Sequence, residues 1–199
     1  RSKDLYDAPP AGTGHYAWRW DDIWFVNLNL KPGDKKEVIP GSTGTRLAYP
    51  HSPLTFLKKF LAARSNTKSR QIVILSHYSL KSSRVSGSER TAFCKLIYQA
   101  QYGKGPFSGQ KLSKNYPVAA QIHGHDHHLP DYTLTSCPSP YSSIKIPRCS
   151  VGNPLYKGTK HPGKLNFTIF RLGNGRLEAV GVKASASNPT GSWSYYFKK

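Results

Sequence analysis

The chain has 199 residues, 37% of them hydrophobic, 20% charged and 12% aromatic, a profile that excludes an intrinsically disordered protein and suits one folded unit. No apolar run reaches the roughly 18 to 20 residues that cross a bilayer, and the first residues lack the charged-then-apolar layout of a signal peptide. The formal charge of +19, from 29 Lys and Arg against 10 Asp and Glu, sets up a field that draws polyanions and steers phosphate-bearing substrates; plain solubility is the competing reading.

Residues 15–20, HYAWRW, and 23–30, IWFVNLNL, are aromatic and β-branched runs separated by Asp21 and Asp22, which predicts a tight antiparallel hairpin. The apolar positions of the second run shift phase, so both of its faces are expected to be covered. Residues 31–51 are rich in Gly, Pro and Lys and read as an exposed loop. The period then becomes helical: Leu54, Leu57, Phe60 or Leu61 and Arg64 share a face, with Ser52 as N-cap and Pro53 at the first position. RQIVILSHY, 70–78, is a short β-branched run of the kind a sheet buries on both faces, and it closes on His77.

A second helix follows, with Ser88 as its cap and Phe93, Leu96, Ile97 and Ala100 as its apolar face. After a basic loop, YPVAAQIHGH repeats the strand design and again ends in histidine. From there strands alone are expected: DYTLTS, SIKIPRCSVG, LNFTIFRL and RLEAVGVKA, the last two joined by a turn at Asn174-Gly175, and then a tail over 185–199 that is a strand or an arm. Cys137 and Cys149 flank a stretch able to fold back as a hairpin closed by a disulfide, which would point to an oxidising compartment; Cys94 reads as a buried thiol inside the second helix.

Four histidines, His123, His125, His127 and His128, fall within 123–128, directly after an apolar strand. Consecutive strands of this kind lie side by side about 5 Å apart, so the imidazole of His77 and those of the cluster can meet at one or two metal ions. Gly124 offers a sharp turn, and His125 and His127 point the same way if the chain stays extended. The bland reading is a polar turn that traps metal by chance. Tyr16, Trp18, Trp20 and Trp24 could stack on bases, although such density in a hairpin more often fills a core.

The order IVILSHY, helix, VAAQIHGHDHH resembles the C-terminal half of the calcineurin-like metallophosphoesterases, in which one strand ends in His and the next in Gly-His-x-His. The 15–34 hairpin, the PLTFLKKFLAA helix, the Glu89-Arg90 opening of the second helix and the closing LNFTIFRLGNGRLEAVGV hairpin are similar to the secreted bacterial branch. The resemblance implies an α/β fold, a mixed-sheet β-sandwich flanked by helices, and a dinuclear centre of Fe, Mn or Zn that activates water and offsets charge on a phosphate. His77 and His125 would then hold one metal and His127 the other, with His123 and His128 beside the metals or on the substrate side.

The family's first half carries Asp-x-His, Gly-Asp-x-x-Asp and Gly-Asn-His-Asp or Glu, and none of these occurs here. The chain also contains no Met. Residues 1–199 are therefore expected to be the C-terminal portion of one metallophosphoesterase domain, completed by an N-terminal segment that carries the remaining ligands. The implied function is a phosphatase or phosphodiesterase, secreted or periplasmic, with nucleotides and nucleic acid among the candidate substrates. A non-catalytic basic module that binds nucleic acid or another polyanion is the alternative. Whether Lys104, Lys111, Lys114, Lys145 or Arg148 lines a substrate cleft is left open.

Overall fold

Trp20 pairs with Ile23 and Tyr16 with Asn27, so the aromatic runs form antiparallel strands β2 (Tyr16–Trp20) and β3 (Ile23–Asn27); a two-residue β1 (Leu5–Tyr6) adds to the outer side of β2. The computed structural model describes residues 5–6, 15–20, 23–33, 38–40, 46–48, 52–63, 71–125, 132–151, 165–173, 176–185 and 188–195. Every residue of β3 from Ile23 to Val26 is buried, as its phase shift implied: Trp24 and Val26 face one core, Ile23 and Phe25 the other.

Within 31–51 the exposed-loop expectation fails in two places. Val38–Pro40 (β4) pairs with Arg46–Ala48 (β5), and Lys31 is only 5% exposed. Its ammonium lies 3.2 Å from the Glu89 carboxylate and donates to the Arg84 carbonyl at 3.1 Å. A Cβ at Gly33 would stand 2.6 Å from Glu89 Oε1, so any side chain there would displace the Glu89 carboxylate from its partners. Composition marks such a stretch as solvent-facing because a partner 58 positions away in sequence leaves no local signal.

Helix α1 (Pro53–Ala63) starts as expected, with the Ser52 hydroxyl accepting from Thr55 N–H at 3.0 Å, and buries Leu54, Phe56, Leu57, Phe60 and Leu61. Arg64 lies outside the described residues. Strand β6 (Ile72–Ser76) follows, then α2 (Gly87–Tyr102), then β7 (Val118–His123). The cap of α2 is Ser86, not Ser88. Ser86 accepts from Glu89 N–H, and the Glu89 carboxylate accepts in return from Ser86 N–H at 2.9 Å. This reciprocal box needs Glu or Gln three positions after the cap, which Ser86 has and Ser88 lacks.

Strands β8 (Tyr132–Ser136) and β9 (Lys145–Ser150) form an antiparallel hairpin. The main sheet runs β1-β2-β3-β6-β7-β9-β8, with β3, β6, β7 and β9 mutually parallel at its centre. Helices α1 and α2 pack against one face, where Trp24, Val26, Ile72, Ile74 and Val118 meet Leu57, Phe60, Phe93 and Ile97. A three-stranded sheet, β10 (Leu165–Gly173), β11 (Arg176–Ser185) and β12 (Asn188–Tyr195), covers the other, with Phe170 and Ala179 packing on Phe25, Val73, Ala120 and Cys149. The chain is thus α/β with a mixed sheet. The β10–β11 turn at Asn174-Gly175 and the β2–β3 turn at Asp21-Asp22 lie outside the described residues, and the tail contributes β12 as the partner of β11.

The disulfide joins Cys94 to Cys137, with Cα atoms 5.9 Å apart, while Cys149 keeps a buried thiol. The expected Cys137–Cys149 bond fails on register. Cys137 N–H donates to Ile144 O, whereas Cys149 pairs with Tyr132 at the other end of the hairpin. Five residues of strand separate the two positions by about 16 Å, beyond the roughly 7 Å a disulfide spans. Cys149 also packs on the sheet face opposite Cys94 and Cys137.

Candidate functional site

Parallel neighbours joined through helices bring the carboxyl ends of β3, β6 and β7 to one edge of the sheet, where α/β sheets hold their ligands. His77 directly follows β6; His123 ends β7, with Gly124 and His125 directly after it. The backbone ties the three ends together: His77 N–H donates to Asn29 O at 2.7 Å, Tyr78 N–H to Leu30 O at 2.8 Å, and Gly124 N–H to His77 O at 3.1 Å.

His77 Nε2 and His125 Nδ1 stand 3.1 Å apart, and both side chains are exposed to solvent. Two ring nitrogens at that spacing either share a proton or share an ion. Nitrogen ligands on one tetrahedral ion, with bonds of about 2.0–2.1 Å, sit about 3.3 Å from each other. The pair therefore fits a common metal with a shift of a few tenths of an ångström. No group of three or more His, Cys, Asp or Glu side chains occurs among the described residues, and His127, His128 and Asp126 lie outside them.

The turn is made differently from expectation. Gly124 stays out of the left-handed region, and His125 itself adopts φ 70°, so the extended backbone that would have aligned His125 with His127 ends at His125. His123, unlike that pair, is buried. It is 4% exposed, its Nδ1 lies 3.2 Å from the Gly124 carbonyl, and it faces Ser150 across β9. The Ser150 hydroxyl is buried without a hydrogen-bond partner among the described residues.

Two contributors were not singled out from sequence. Gln121, 1% exposed, accepts from Leu80 N–H at 3.0 Å and donates to Ser76 Oγ at 2.9 Å and Tyr78 O at 3.3 Å. A carboxamide inside the apolar run VAAQIH was the available signal, because a buried amide is kept only where its bonds are met. Replacing Gln121 with Leu, which fills similar volume but takes the acceptor from Leu80 N–H and one of two donors from Tyr78 O, should destabilise the fold by about 2 kcal/mol. Urea denaturation checks this, and an unchanged midpoint would show that the network carries little. The second contributor is Tyr78, whose ring lies 4.8 Å from that of His77 and 4.3 Å from that of His125.

The basic loop residues fall elsewhere. Lys104, Lys111 and Lys114 lie between the end of α2 and the start of β7, and Lys145 opens β9, which puts all four at the opposite edge of the parallel strands. Lys104 sits 5.3 Å over the Tyr98 ring, and the Arg148 guanidinium donates to Thr133 and Thr135 on β8. Trp24 is core, Trp18 stacks on Phe25 at 5.2 Å, and Trp20 and Tyr16 are 55% and 41% exposed. No protein-family model matches this chain, and no curated protein sequence matches it.

Proposed function

We propose that the chain supplies the His77–His125 part of the metal centre of a metallophosphoesterase-type hydrolase. The convergence of His77 Nε2 and His125 Nδ1 to 3.1 Å at the carboxyl edge of the parallel strands carries this reading. Both imidazoles face solvent, so a substrate can reach them. His77 and His125 would hold one ion of a pair of Fe, Mn or Zn. His127, outside the described residues, would hold the second, together with carboxylate and amide ligands from a further segment of the protein. Such ions lower the pKa of bound water and offset charge on a phosphoryl group. The residues of this chain hold the imidazoles in place, and the +19 field draws an anionic phosphomonoester or phosphodiester toward the site. The fold would then be the mixed-sheet β-sandwich of that superfamily, and the Cys94–Cys137 bond supports a secreted or periplasmic setting.

The test is metal analysis and hydrolysis of an aryl phosphodiester by the full-length protein, before and after chelation. Loss of a partner that merely orients a metal ligand lowers metal affinity or activity about 10- to 100-fold, so His125→Ala should cost at least about 100-fold and deplete the metal. Chelator-insensitive turnover, or normal metal content in His125→Ala, would refute the proposal. Absence of turnover combined with metal-independent retention of polyanions would instead support the basic binding module, which the net charge favours.

A further inference from the structure

We infer that Tyr78 is a positioning residue for the His77–His125 pair, an inference that rests on the metal-centre reading above. The three rings meet edge to face in a closed triangle. Tyr78 and His77 are 4.8 Å apart at 71°, Tyr78 and His125 4.3 Å at 64°, and the two imidazoles 5.0 Å at 74°. Edge-to-face contact places the positive rim of one ring against the negative face of another, so each contact fixes an orientation as well as a distance.

Tyr78 is held in place by packing and by its backbone. Its ring is half-buried and packs on the larger core. Its N–H is bound by Leu30 O at 2.8 Å, and its carbonyl accepts from Ser76 Oγ at 2.9 Å and Gln121 Nε2 at 3.3 Å. His77 and His125 stand exposed on strand ends, where a side chain otherwise samples several staggered rotamers. A flat wall touching both imidazoles confines them to the rotamers that bring Nε2 and Nδ1 within 3.1 Å. The role belongs to the flat face of the Tyr78 ring, which needs no contact with metal or substrate for it.

The experiment titrates the metal-free full-length protein with Co2+, reading affinity by equilibrium dialysis and coordination by the visible absorption spectrum. Tyr78→Phe should bind within about 2-fold of the parent. Tyr78→Leu and Tyr78→Met fill the space without a flat face and should bind about 10-fold more weakly with an altered spectrum, the lower bound for losing a residue that orients a ligand. If the parent binds Co2+, His125→Ala does not, and both fillers match the parent in affinity and spectrum, the role of Tyr78 is overturned while the metal centre stands. If the parent binds no better than His125→Ala, the metal-centre reading fails and this inference with it. NMR of the imidazole resonances of the unaltered protein guards against fillers that do not fold. One set of signals for each of His77 and His125 is expected, and several rotameric states would overturn the inference without any variant.

Discussion

Reduction of the Cys94–Cys137 bond should lower the free energy of unfolding by about 4 kcal/mol, the loop-entropy value for a sequence separation of 43. The bond ties the middle of α2 to the residue that leaves β8, and both cysteines lie in the core shared by the helices and the main sheet. The loop it closes contains α2's second half, β7 and the whole histidine cluster. Urea denaturation with and without reductant gives the comparison, and a lower midpoint with a steeper slope is the expected pattern on reduction, because the freed denatured chain is less compact. Peptide mapping of the oxidised protein is the direct check: the fragment bearing Cys94 must be linked to the one bearing Cys137. A Cys137–Cys149 link would contradict the register of the β8–β9 hairpin and overturn the assignment.

Substituting Glu89 by Ala should cost about 4 kcal/mol, the range for removing one partner of a buried ion pair. Glu89 serves two elements at once. Its carboxylate faces the Lys31 ammonium at 3.2 Å, with side-chain exposures of 7% for Lys31 and 3% for Glu89, and it also closes the capping box at Ser86. The variant takes the Glu89 carboxylate away from the Lys31 ammonium, which keeps its bond to the Arg84 carbonyl, and it weakens the first turn of α2. Replacing both partners, Lys31→Met with Glu89→Leu, should recover most of the loss, because a buried pair gains little over apolar groups of similar size. A double-mutant cycle by thermal or chemical unfolding measures the coupling. A coupling near zero would mean that the pair is solvated and the structural account wrong. The effect should extend to the site, since Lys31 follows Leu30, whose carbonyl receives the Tyr78 N–H.

Periodicity made much of this fold legible. The aromatic and β-branched runs in 15–30, the helical spacing from Leu54 to Leu61 and the short apolar runs before His77 and His123 each became the expected element, the helix by its period and the strands by their length and β-branched content. The His77–His125 approach was also readable, since parallel strands with similar endings must bring those endings together. Long-range pairings left no such trace. Cys94 found Cys137 because α2 crosses the sheet face that Cys137 enters, and Lys31 found Glu89 because a loop of unremarkable composition runs under the helix cap. Gln121 and Tyr78 stood in plain view within strand-end motifs, but their roles depend on three strand ends converging, which one-dimensional spacing does not describe.

The left-handed backbone of His125 carries a wider consequence. Glycine adopts φ 70° without steric cost, and a side chain there sacrifices some stability. A glycine at 125 would relax the turn and delete the imidazole in one step. Under the proposed metal-ligand role, the imidazole that glycine lacks is what would offset the strain of that conformation.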